Sequence, residues 1–302
     1  MKLVHSFWSK PMLDSSGKYI ANVGNWISKP MFYYAIALSS LLMQRYYKGK
    51  TVLVTDKFGK QLLIDKLQLP YDEVIVELDN LNEYDKGLWA LGKIYAYALM
   101  NTPFIHIDFD FFIAQKFDDV VSNSPLISYV SEFQDNRQRF YHSVIDNCFS
   151  QLVLPQKLRM FFNQPDRIAY NAAVFGGNRL EIFKELWQLS YETIHQNNDR
   201  INHLITDSLS SAGFNIIFEQ YLFARLAKDY DIPVYCLEDE IYRQQNPSYS
   251  TEVMRDFPIN HIHLISESKK DKRNALYLEE ILKGEGYEYY KRINHLIGKN
   301  QL

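Results

Sequence analysis

The opening part of the chain alternates short apolar, β-prone runs with segments of helical spacing, and few folds accept that alternation. Leu3 to Trp8, Thr51 to Thr55, Glu73 to Leu78 and the run beginning at Phe104 read as strands, the second of them buried. Between them, Pro30 suits the first turn of a helix that Phe32 to Met43 carry forward and Gly49 stops. Phe58 to Leu67 reads as a short helix. Lys86 to Leu99 sets Leu88, Leu91, Tyr95 and Leu99 at helical spacing before Thr102-Pro103 breaks it. The alternation predicts an α/β fold with a largely parallel sheet flanked by helices. In such sheets ligands bind beyond the carboxyl ends of the strands.

Asp108-Phe109-Asp110 lies at such an end, inside the apolar run Phe104 to Phe112. An ionised carboxylate removed from water without a counter-charge costs several kcal/mol or more. Two acids here therefore predict a hard cation or a helix to cap, against the plainer reading of a strand end whose acids face solvent. His106 points opposite to Ile105 and Ile107, as a satisfied core histidine or as a support for metal ligands.

Beyond Leu126 to Val130, another expected strand, the pattern loosens. Ser131 to Arg167 mixes acids, bases and aromatics, with a helical stretch from Gln138 to Leu152, and reads as an insertion over an active-site mouth. Ala169 to Phe175 resumes strand character and ends at Gly176-Gly177. Helices Leu180 to Gln196 and Phe214 to Lys228 are expected on either side of a polar His203-to-Gly213 segment. Pro233 to Leu237 and Ile259 to Ile265 look like late strands, and Lys269 to Ile297 is an amphipathic helical tail interrupted at Gly284 and Gly286. No repeat, low-complexity segment or linker divides the chain, so a single domain over 1–302 is expected.

Composition removes several function classes. With 302 residues, 47% hydrophobic and 23% charged, the chain has material for a sizeable core. A net charge of −3 and the lack of a basic arm argue against nucleic acid as a partner. Cys148 and Cys236 are too few for a disulfide framework or a four-ligand zinc site, which fits a reducing compartment. Met1 to Pro11 lacks a signal-peptide apolar core, and no stretch has the roughly 18 apolar residues of a membrane span. A cytoplasmic location is expected, with peripheral membrane contact left open. Aromatic residues are 15% of the chain, and most are expected to be core.

In order along the chain stand an α/β half, Asp108-Phe109-Asp110, then Tyr170-Asn171-Ala172-Ala173-Val174-Phe175-Gly176-Gly177, then Glu219-Gln220, then His263-Leu264-Ile265-Ser266-Glu267-Ser268-Lys269. This series resembles the nucleotide-sugar glycosyltransferases of the GT-A fold, above all the retaining type related to glycogenin and the lipopolysaccharide galactosyltransferases. The resemblance implies a Rossmann-like, mixed and mostly parallel sheet with a helical tail. It further implies a nucleotide- and metal-binding half (1–130), an acceptor and sugar half (131–268) and a helical tail (269–302).

It also implies roles. Asp108 and Asp110 match the carboxylates that hold Mn²⁺ or Mg²⁺ on the donor diphosphate, whose growing charge the cation neutralises. His263 matches a third metal ligand and Lys269 the cation on the phosphates, with His261, on the same strand face, as the competing ligand. Ser266 stands where the family usually has glycine, and the Pro-Trp that usually follows the lysine is absent. Asn171 resembles a sugar-binding amide, although Ala173 replaces the usual glycine and the amide also suits a strand start. Glu219 and Gln220 resemble the catalytic pair of retaining members, near donor sugar and anomeric carbon, or else begin a helix where an acid suits the dipole. Trp8 would stack on the nucleobase or sit buried, and Lys93 would reach the donor or lie on the surface.

The expected activity is metal-dependent transfer of a hexosyl group from a UDP-sugar to a glycan or lipid-linked acceptor. A sugar nucleotidyltransferase would need a Gly-rich basic phosphate loop after the first strand, and Ser9 to Lys29 has none. A non-catalytic glycan- or nucleotide-binding module on the same fold is the third alternative.

Overall fold

The structure is a computed structural model that describes residues 1–13, 23–132, 135–205, 208–238, 254–258 and 261–302. Its strands are β1 (Lys2–Phe7), β2 (Thr51–Thr55), β3 (Glu73–Val76), β4 (Phe104–Ile107), β5 (Phe111–Phe112), β6 (Leu126–Ser128), β7 (Ser131–Glu132), β8 (Ala169–Tyr170), β9 (Val174–Gly177), β10 (Val234–Cys236) and β11 (Ile262–His263). Seven form the central sheet, in the order β10-β6-β9-β4-β1-β2-β3. β1 runs parallel to β2, β2 to β3 and β10 to β6, whereas β9 is antiparallel to β6. The fold is therefore α/β, with a mixed and mostly parallel sheet flanked by helices and a helical C-terminal tail, the arrangement the resemblance implies. Among the described residues no helix is long and apolar enough to cross a membrane.

The chain gathers into two compact units, interleaved in sequence. Unit 1 comprises Met1–Asp79, Ile107–Asp118 and Ile241–Leu302. Every residue of β2 is buried, as an unbroken apolar run in a parallel sheet requires. Helix Lys29–Tyr46 begins with Pro30 in its first turn and buries almost all of its length from Met31 to Met43. It packs along helix Lys272–Gly298, where the Tyr34 hydroxyl donates to Asn294 Oδ1 at 2.8 Å and the Tyr34 and Tyr290 rings lie 5.4 Å apart. The tail helix breaks at Gly286 but runs through Gly284, so only one of the two expected interruptions occurs. A Cβ at Gly286 would stand 2.5 Å from Leu41 Cδ1, so the glycine admits close helix packing.

Unit 2 comprises Asn80–His106 and Asp119–Glu240. Aromatic rings fill its core, as expected: Tyr97, Phe104, Phe175, Phe183 and Phe223 are all buried, with Phe175 and Phe223 stacked 4.3 Å apart.

Several expected boundaries shift for tertiary reasons. The helix expected from Lys86 starts at Leu91, because Asn215 accepts from Ala90 N at 2.7 Å and donates to the Gly87 carbonyl at 2.6 Å, holding that stretch as a turn. The strand expected from Ala169 splits into β8 and β9 around Asn171, and β8 pairs with β7 outside the main sheet. The expected polar spacer 203–213 is largely helical: Asn198–Leu204 is a helix, and from Ser208 an unbroken helical path runs to Asp229, with a π turn at Ile217–Tyr221. Glu219 and Gln220 therefore sit inside a helix rather than at its start. Residues 14–22 of the expected loop, 206–207 of the spacer and 259–260 of the last expected strand lie outside the described residues.

Candidate functional site

Within unit 1, backbone pairing builds the first cluster. β5 and β11 are antiparallel, with His263 opposite Phe111, and Leu264 N donates to the Asp110 carbonyl at 2.9 Å. This register sets His263 Nε2 3.6 Å from Asp110 Oδ1. The chain then turns through Ser266, whose φ of +48° is left-handed, and a short helical turn, Ser266–Lys270, follows. The position where the family usually has glycine thus has the backbone conformation that glycine adopts most easily. The turn delivers Lys269 Nζ to 2.5 Å from Asp110 Oδ2 and 5.6 Å from the centre of the Trp26 ring. Burial pushes the Asp110 carboxyl up, but the Lys269 ammonium, together with His263, outweighs it and holds the group well below the usual carboxylate range.

The Asp-x-Asp turn itself is closed by Phe111 N donating to the Asp108 carbonyl at 3.0 Å. Its middle residue is anchored from below, because the Phe109 ring lies 4.3 Å from the His5 ring. His5 is fully buried, with Nδ1 2.7 Å from the Tyr71 hydroxyl and Nε2 3.1 Å from Ser39 Oγ, and burial pushes its pKa down to about 3. His261 is turned to another task. Its Nδ1 accepts from Ala114 N at 3.0 Å, its ring packs on Phe117, and burial lowers its pKa to about 4. Of the two histidines, His263 is the one beside Asp110.

Among the described residues no three His, Cys, Asp or Glu side chains are gathered to hold a metal. Asp110 Oδ1, however, is buried without a hydrogen-bond partner among the described residues, and it faces an imidazole nitrogen. Two such ligands fit an Mg²⁺-type ion, which takes one or two protein ligands and completes its shell with phosphate oxygens and water. Trp8 is 5% exposed, so its ring is core. The end of β1 is fixed instead by Ser9, whose N and Oγ donate to Asp56 Oδ2 at 2.8 and 2.6 Å.

The second cluster lies within unit 2. Glu219 is wholly buried in the π turn. Its Oε1 accepts from the Tyr97 hydroxyl at 2.7 Å and stands 2.9 Å from Lys93 Nζ, while Oε2 has no hydrogen-bond partner among the described residues. Lys93 also donates to the Ala172 carbonyl at 3.4 Å, so it is a half-buried, committed lysine rather than a surface one. Gln220 Oε1 lies 3.5 Å from the Tyr141 hydroxyl, which also donates to Glu132 at 3.1 Å. The Asn171 side chain is spent locally, with Oδ1 accepting from Ala173 N at 3.0 Å and Nδ2 3.4 Å from Glu132 Oε1. His106 is a core histidine with the Tyr97 ring edge-on at 5.0 Å.

Sequence reasoning missed Tyr97, Trp26, His5 and Tyr141. Tyr97 alone had a signal, because it lies four residues after Lys93 on one helix face.

No curated protein matches the chain. Among solved structures it is similar to mouse xyloside xylosyltransferase 1 in its apo form, at 13% identity and a TM-score of 0.38, over 82% of this chain and 91% of that one. Residues 1–296 match the model of DUF6734, described as a family of unknown function, and the chain belongs to that family.

Proposed function

We propose that the chain is a metal-dependent, retaining glycosyltransferase that moves a hexosyl group from a UDP-sugar to a glycan or lipid-linked acceptor. The observation that carries this reading is the convergence of Asp110 with His263 and Lys269, which lie far along the chain from it and which the resemblance requires in one place. Asp110 and His263 would hold Mn²⁺ or Mg²⁺, and the resemblance adds Asp108 to them as the second carboxylate. The cation would neutralise the charge that grows on the departing diphosphate. Lys269 is the lysine for the phosphates, held ready by its ion pair with Asp110 and by the Trp26 ring. Within unit 2, Glu219 Oε2 is an acceptor left for a sugar hydroxyl, and access to it requires displacement of the side chains that cover it. Lys93 and Tyr97 fix the other oxygen, and Gln220 adds an amide group for hydroxyl recognition, while Asn171 shapes the turn beside it through its bond to Ala173 N.

Thermal melting with nucleotides tests the reading. UDP with Mn²⁺ at about 100 times its dissociation constant adds about 2.7 kcal/mol of stability and raises the melting temperature. The same mixture with a UDP-hexose panel releases UDP slowly, and faster once an acceptor is supplied. A folded protein whose melt is unmoved by UDP, GDP and CDP in the presence of metal would overturn the donor site.

A further inference from the structure

We propose that unit 2 also carries a binding site for a small oxyanion on a short apolar stem, in a hollow that the glycosyl-transfer reading does not use. The hollow has a volume of about 190 Å³. Arg225 and Lys228 project into its lining from one face of helix Leu222–Asp229, beside Ala224 and Ala227. Ile168 and Tyr170, approaching β8, and Ile232 to Val234, entering β10, supply the rest of the wall with Asp166.

The charges there do not balance. Arg225 Nη1 lies 3.1 Å from Asp166 Oδ1 and Lys228 Nζ 3.0 Å from Asp166 Oδ2, so two cations share one carboxylate. Arg225 is only 6% exposed, and its Nε is buried without a hydrogen-bond partner among the described residues. A buried N–H left without an acceptor is costly, and native proteins rarely tolerate one without a use for it. An oxyanion would supply the acceptor and cancel the surplus charge, in the planar recognition that guanidinium groups favour. The apolar wall suits a stem of a few carbons, and the volume lies below that of pockets for drug-sized ligands. Carboxylate and phosphate monoester share this chemistry.

Isothermal titration at low salt with butyrate, butyl phosphate, inorganic phosphate and butylamine separates the cases. Saturable binding is expected for butyrate or butyl phosphate, tighter than for inorganic phosphate, and none for butylamine. The tighter of the two stemmed probes names the oxyanion. Lys228→Gln, on an exposed side chain that folding does not need, should weaken binding about tenfold, and Arg225→Lys should do the same while keeping the charge. A Lys269→Ala control removes phosphate binding that belongs to unit 1, so this inference and the donor reading fail separately. It is overturned if no stemmed anion binds the folded protein, if binding survives both Lys228→Gln and Arg225→Lys, or if it disappears in Lys269→Ala alone.

Discussion

Lys93 Nζ stands 2.9 Å from Glu219 Oε1, and the Glu219 side chain has no exposed surface. A carboxylate so placed depends on its partner, because removing one member of a buried ion pair leaves an uncompensated charge. Lys93→Met should therefore cost about 3–5 kcal/mol in urea denaturation. Adding Glu219→Gln to it should recover part of that loss, since the amide needs no counter-charge and Tyr97 can still donate to it. A Lys93→Met protein within about 1 kcal/mol of wild type would contradict the burial of this pair.

The unit 1 cluster divides its labour between metal and phosphate. Asp110→Asn and His263→Ala should abolish the part of the UDP melting shift that depends on Mn²⁺. Lys269→Ala should weaken UDP about tenfold, as loss of one charge-assisted contact implies, and keep the metal requirement. Differential scanning fluorimetry across a Mn²⁺ series reads both. Wild-type metal dependence in Asp110→Asn and His263→Ala, together with wild-type UDP affinity in Lys269→Ala, would remove these residues from the site.

His5 predicts an acid limb in the stability profile. Its folded pKa, about 3, lies below the ordinary value of 6.5 because burial disfavours the charged ring. The unfolded chain takes up a proton that the folded chain refuses, so His5 contributes its stability above pH 6.5 and loses it progressively from there down towards pH 3. His5→Asn should flatten the fall in melting temperature between pH 6.5 and 4, at some cost near pH 7 from the lost Tyr71 and Ser39 contacts. An unchanged slope would show that His5 does not resist protonation.

Ser266 holds a left-handed backbone, φ +48°, that costs a non-glycine residue roughly 1 kcal/mol. Ser266→Gly should be neutral or stabilising by up to about 1 kcal/mol, and Ser266→Val, β-branched, should destabilise the turn that carries Lys269. Chemical denaturation of the two variants provides the comparison. A stabilised Ser266→Val would be incompatible with this turn.

Much of unit 1 was legible because its signals are local. β2 falls on its five expected residues, and the helix after Pro30 follows an apolar run that has no polar face to confuse it. The helix Leu180–Gln196 likewise matches its expected span. The failures share one cause. The helix at Leu91 starts late because Asn215, far along the chain, claims the backbone at Gly87 and Ala90. The strand around Asn171 splits because that side chain hydrogen-bonds its own turn and β8 finds a different partner in β7. The segment before Glu219 is helical although its polar residues read as a spacer, since tertiary packing overrides weak propensity.

The candidate residues follow the same division. Local sequence determined that Asp108 and Asp110 follow an apolar run, that five residues separate His263 from Lys269, and that Glu219 and Gln220 are adjacent. Periodicity and spacing act over a few residues, so they carry that much. Only the tertiary structure decided that His263 rather than His261 faces Asp110, because the β5–β11 register assigns His261 to Ala114 instead. Only the tertiary structure paired Lys93 with the buried Glu219, and it brought Trp26 to Lys269. Those choices rest on hydrogen-bond register and charge pairing between segments remote in sequence, which one-dimensional spacing does not encode.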